Sequence, residues 1–135
     1  MIDLNKYTDF VSAITSQQSN NLDAYITSLD RVNASKPEVN VPLLITGAMG
    51  MSGEAGEFSE IVKKVLFHSK PLTDEVHAHL VKELGDVIWY WTNTCRALGV
   101  NPNDVIALNV AKLEGRYPGG TFSAAASETR KEGDI

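Results

Sequence analysis

The run Gly53-Glu54-Ala55-Gly56-Glu57-Phe58-Ser59-Glu60 is answered downstream by Lys82-Glu83-Leu84-Gly85-Asp86-Val87. On helices, Glu54 and Glu57 stand three residues apart, as do Glu83 and Asp86, so each pair lies one turn apart on one side of its helix. Four carboxylates can then face one another. Gathering them without a counter-charge costs several kcal/mol or forces some to take up protons, and a bound cation removes that cost. The motifs offer oxygen ligands only, which suits Mg²⁺ or Mn²⁺. Di-iron carboxylate bundles use Glu-x-x-His, whereas here the third residue after each leading Glu is Glu57 or Asp86.

Working outward, the chain reads as helices throughout, with no strand alternation. Leu4, Tyr7, Phe10, Val11 and Ile14 repeat at three and four behind Asp3, which predicts a capped amphipathic helix. A polar break over residues 16–21 separates it from a second, carried by Leu22, Tyr25, Ile26 and Leu29. Pro42 opens a third that should run to Phe67 despite Gly47, Gly50, Gly53 and Gly56. Each glycine costs about 1 kcal/mol relative to alanine in a helix interior. Close helix packing or a loosened turn beside a ligand would account for them. Thr73 caps a fourth helix ending at Gly99, and Asn101-Pro102 starts a fifth that breaks at Pro118-Gly119-Gly120. The expected architecture is all-α, a bundle of four to five helices in one domain over residues 1–118. Residues 119–135 read as a mobile tail without apolar period.

At about 100° per residue, with Glu54 as zero, Met51, Ala55, Phe58, Val62 and Val65 cluster between roughly 20° and 100°, with Glu57 near 300°. From Glu83, the residues Leu80, Leu84, Val87, Trp91, Cys95 and Leu98 occupy about 40° to 120°, with Asp86 near 300° and Tyr90 near 340°. The acids are therefore expected to border the buried stripes. On the fifth helix Asn109, Lys112 and Arg116 share one arc beside a stripe of Ile106, Val110, Leu113 and Tyr117. Three helices thus put polar groups on the same side of their apolar seams, so all of them can line one cleft. Glu60 turns toward water, where it can pair with Lys64 or contribute a further carboxylate to the site. His68, His77 and His79 stand outside both motifs; His77 and His79 read as ordinary helix or surface residues, His79 the more interesting because it lies one turn before Glu83.

The 135 residues suit one domain, and 43% hydrophobic with 21% charged residues is the make-up of a soluble globular protein. A net charge of −5 argues against a large nucleic-acid footprint. No apolar run has the length of a membrane span, and the start lacks the layout of a signal peptide, so the expectation is a cytoplasmic protein free of membranes. The single cysteine, Cys95, reads as a buried structural thiol.

Glu-x-x-Glu followed by Glu-x-x-Asp in a helical chain of this size resembles the MazG-like nucleoside triphosphate pyrophosphohydrolases. The likeness extends to Lys82-Glu83-Leu84-Gly85-Asp86-Val87-Ile88-Trp89-Tyr90 and to Asn109-x-x-Lys112-Leu113-x-x-Arg116-Tyr117-Pro118. It covers residues 42–118 well and the first two helices loosely. The resemblance implies a Mg²⁺-dependent split of a nucleoside triphosphate into monophosphate and pyrophosphate by a homodimer or homotetramer. It implies metal ligation by Glu54, Glu57, Glu83 and Asp86, and substrate contacts from Asn109, Lys112, Arg116 and the adjoining Tyr117. Tyr90, the aromatic residue that borders the acid seam, is the expected base contact. The family pattern often begins with two adjacent glutamates, and Gly53 stands where the first would be. Another metal-dependent phosphohydrolase on the same scaffold, or a catalytically silent helical binding module, are the competing readings.

Overall fold

The computed structural model describes residues 3–129. It is all-α, with no strand among the described residues: α1 (Leu4–Ile14), α2 (Gln17–Asn20), α3 (Leu22–Ser35), α4 (Val41–Phe67), α5 (Asp74–Leu98), α6 (Pro102–Arg116) and α7 (Ala124–Glu128). The five longer helices are those read from the sequence, because their ends are set by local chemistry. The Asp3 side chain accepts from the backbone N–H groups of Asn5 and Lys6, Asn40 from Leu43, Thr73 from Val76 and Asn101 from Asn103. At the other end of α5, Gly99 takes the left-handed conformation at φ 69° that a side chain disfavours.

Two short helices add to that reading. In the polar break, α2 is held by the Asn20 side chain donating to the Ser16 carbonyl at 3.1 Å and by a Ser16–Ser19 hydroxyl pair. In the described part of the tail, Ser123 caps α7, and the Phe122 ring lies 6.0 Å from that of Tyr117. The rest of the expected tail, residues 130–135, lies outside the described residues.

The centre of the molecule is the antiparallel hairpin of α4 and α5, by far the most extensive helix contact. Its register is fixed along its length. The Asn40 N–H donates to the Ala97 carbonyl at 2.8 Å, Gly47 lies against Thr94, Gly50 against the Tyr90 ring, and Glu54 beside Glu83. A Cβ at Gly47 or Gly50 would collide with those side chains, so these two glycines permit the close approach. Gly53, Gly56 and Gly85 face open space.

The buried faces differ from those expected. On α5 the buried residues are Val76, Glu83, Asn93, Cys95 and Ala97, whereas Leu84 is 51% exposed, Leu98 is exposed and Trp91 is half-buried. On α4 Ile61 is buried while Ala55 is exposed. The helix–helix seam therefore runs through Glu83 rather than beside it, and Leu84 and Leu98 of the apolar stripe of α5 face outward. α3 and α6 each touch the hairpin sparsely, and α1, with Leu4, Tyr7, Phe10 and Ile14 exposed, packs extensively on no described helix. No described helix is long and apolar enough to cross a membrane.

Candidate active site

The hairpin brings three acids together. Glu54 and Glu57 from α4 and Glu83 from α5 each offer a carboxylate oxygen within 4.8 Å of the others. Glu83 is 5% exposed, Glu54 is half-buried and Glu57 is open to solvent. Asp86 lies outside the trio on the exposed side of α5, yet near enough for its charge to act on Glu54. Loss of water, then the like charges of Glu57, Asp86 and Glu83, push the Glu54 carboxyl above its ordinary pKa. A hydrogen bond to Glu83, which the protonated form alone can donate, acts in the same direction.

A shallow groove of about 300 Å³ opens beside the acids, at the small end of the range for ligand sites. Gly53, Gly56, Glu57, Glu60, Ile61, Lys64 and His79 line it. Glu60 is engaged with Lys63 and, at 3.4 Å, with Lys64, and those ammonium groups, Lys63 foremost, hold its carboxyl below the usual range. It is thus the solvent-side ion pair read from its angle, and no fourth member of the acid cluster.

The residues of α6 stand apart. Asn109 and Lys112 are exposed, and Arg116 is half-buried near the end of the helix. None of them lines the groove, which α4 and α5 build alone. Tyr117 is half-buried and lines a separate depression with Leu113, Glu114, Gly120, Thr121 and Phe122. The expectation that three helices line one cleft therefore does not hold for this groove within one copy of the chain. Angular position around a helix does not say whether that helix packs against the others. Tyr90 is half-buried, with its ring over Gly50 and edge-on to Trp89 at 4.7 Å and 89°.

One contact escaped the sequence reading. Nε2 of His79 lies 2.8 Å from Oε1 of Glu83. Its signal was present: on the wheel that places Glu83 at zero, His79 falls at about 320°, between Asp86 and Tyr90. Spacing of four on the acid seam outweighed its place outside the motif.

The donor set fits a hard divalent cation. Three carboxylates, each with an oxygen within 4.8 Å of the others, are the hard oxygen donors such an ion takes, and Glu54, Glu57 and Glu83 would hold it. A cation would also offset the like charges that, after loss of water, raise Glu54.

No solved structure matches the chain. A "Gene 37 protein" of Mycobacterium phage L5 is 37% identical over 78 residues, which is 57% of this chain and 68% of that relative. The model of the MazG nucleotide pyrophosphohydrolase domain matches residues 46–121, a span that begins in α4 ahead of the first acid pair and ends past α6. Because that span covers more than half of the chain and contains both acid motifs, the protein belongs to the MazG nucleotide pyrophosphohydrolase domain family.

Proposed function

We propose that this protein is a Mg²⁺-dependent hydrolase, with Mn²⁺ as a substitute, that converts a ribo- or deoxyribonucleoside triphosphate and water to the monophosphate and pyrophosphate. The observation that carries this reading is the convergence of Glu54, Glu57 and Glu83 within the span that matches the family. These three would hold the cation, joined by Asp86 from the next turn of α5. A divalent ion bound there supplies charge for the triphosphate oxygens and makes a coordinated water more acidic.

The chain's own groups divide the remaining work. With Glu60 committed to Lys63 and Lys64 and glycine at position 53, the exposed carboxylates left to orient the attacking water are Glu57 and Asp86, and Glu57, the one within the trio, is assigned that role beside its place on the cation. Arg116 takes the outer phosphates by its planar fork and Lys112 as a point charge, with Asn109 and Tyr117 beside them. Tyr90, one turn beyond Asp86, meets the base. Cleavage between the α and β phosphates is taken from the likeness to the family, since carboxylate geometry does not select the bond.

Because α6 lies off the groove of its own copy, its contacts are assigned to the site through assembly of a homodimer or homotetramer. The uncovered apolar side chains of α5 support that assembly: Ile88 is 58% and Trp89 57% exposed.

The test is to incubate the purified protein with each nucleoside triphosphate and Mg²⁺ and to separate the products. Monophosphate with pyrophosphate is the expected result. Diphosphate with orthophosphate would reject the assignment, and no turnover of any triphosphate would favour the silent binding module.

A further inference from the structure

Glu83 is the least accessible of the three converging acids, and its partner one turn back, His79, is 55% exposed at the side chain. A carboxylate that deep between two helices cannot rely on water to hold its orientation. It also lies beside Glu54 and Glu57, whose charges repel it and favour any rotamer that turns it away. The 2.8 Å contact from Nε2 of His79 to Oε1 opposes that. With the proton on Nε2, the imidazole donates to Oε1 of that carboxylate. His79 also lines the groove, together with Glu57, Glu60 and Lys64.

We infer that His79 is a positioning residue for Glu83, fixing its carboxylate in the rotamer in which the three acids converge. The role resembles that of groups that hydrogen-bond a metal's ligands from behind, whose loss costs about 10- to 100-fold in metal affinity. The inference rests on the reading of these acids as ligands of a divalent cation, and its test separates the two.

The experiment is calorimetric titration of the purified full chain with Mn²⁺, for the parent, Glu83→Gln, His79→Ala and His79→Gln, with melting curves in chelator to confirm folding. The parent should bind and Glu83→Gln should not. His79→Ala should bind about tenfold or more weakly. His79→Gln, whose side-chain amide nitrogen reaches the place of Nε2, should recover most of that loss. Equal affinity in His79→Ala and the parent would overturn the inference while leaving the cation site standing. Equal weakness in both His79 variants would overturn it as well, since the imidazole would then act other than by hydrogen bonding to Glu83. No Mn²⁺ uptake by the parent would overturn the cation reading itself, and this inference with it.

Discussion

The ring of Tyr90 occupies the space that a side chain on Gly50 would need, as Thr94 does at Gly47. These two positions let α4 and α5 approach closely enough for acids on both to converge. Gly50→Ala and Gly47→Ala should therefore each carry an overpacking cost of about 1–3 kcal/mol. Less the gain of about 1 kcal/mol from replacing a helical glycine by alanine, the net loss should reach about 2 kcal/mol. Gly85→Ala, on the same hairpin but facing open space, should instead raise stability by up to about 1 kcal/mol. Urea denaturation of the three variants decides the matter. A loss at Gly85 equal to that at Gly50 would place another subunit against that side of α5.

The buried carboxylate of Glu83 should be a burden without a cation and a necessity with one. In chelator, Glu83→Gln is expected to melt no lower than the parent, because it removes a charge held among like charges. At Mg²⁺ a hundredfold above the dissociation constant, the parent should gain about 2.7 kcal/mol by mass action, and the variant nothing. Thermal melts with and without Mg²⁺ read both effects.

Glu54 sets the sign of one pH effect. Its folded pKa is raised, so the native state holds that proton more tightly than the unfolded chain does. Its contribution then favours folding at acid pH and is lost as pH rises through the ordinary carboxylate value to the higher folded one. In chelator at pH 7, Glu54→Gln should be more stable than the parent, with the difference closing as pH falls below the carboxylate range. Glu60 and Glu38, held low by their lysines, act oppositely: what they contribute is lost on acidification. Melting both proteins from pH 4 to pH 8 isolates the Glu54 part, and a gap that widened toward acid would contradict it.

The exposed stripe of α5 should be where copies of the chain meet. Sedimentation of the parent is expected to give a dimer or tetramer, and Ile88→Glu to shift it to a smaller species, since a charge in an apolar contact is left without a partner. If α6 serves the groove of another copy, the same variant should lose turnover. An unchanged sedimentation profile would move the interface elsewhere, with the exposed apolar face of α1 the next place to look.

The sequence by itself determined the five longer helices and the pairing of acids on α4 and on α5. Asp3, Asn40, Thr73, Gly99 and Asn101 act on backbone groups a few residues away, and three-residue spacing fixes a shared side whatever the helix packs against. Only the tertiary structure decided which acids converge. It buried Glu83 in the seam instead of beside it, left Asp86 outside the trio, joined His79 to Glu83 and kept α6 off the groove. It also divided the glycines of α4, packing Gly47 and Gly50 against α5 and leaving Gly53 and Gly56 open. The reason is geometric. A helical wheel orders residues around one axis, whereas convergence depends on the register and rotation between two. Those are set by contacts far apart in the chain, such as Asn40 with Ala97 and Gly50 with Tyr90.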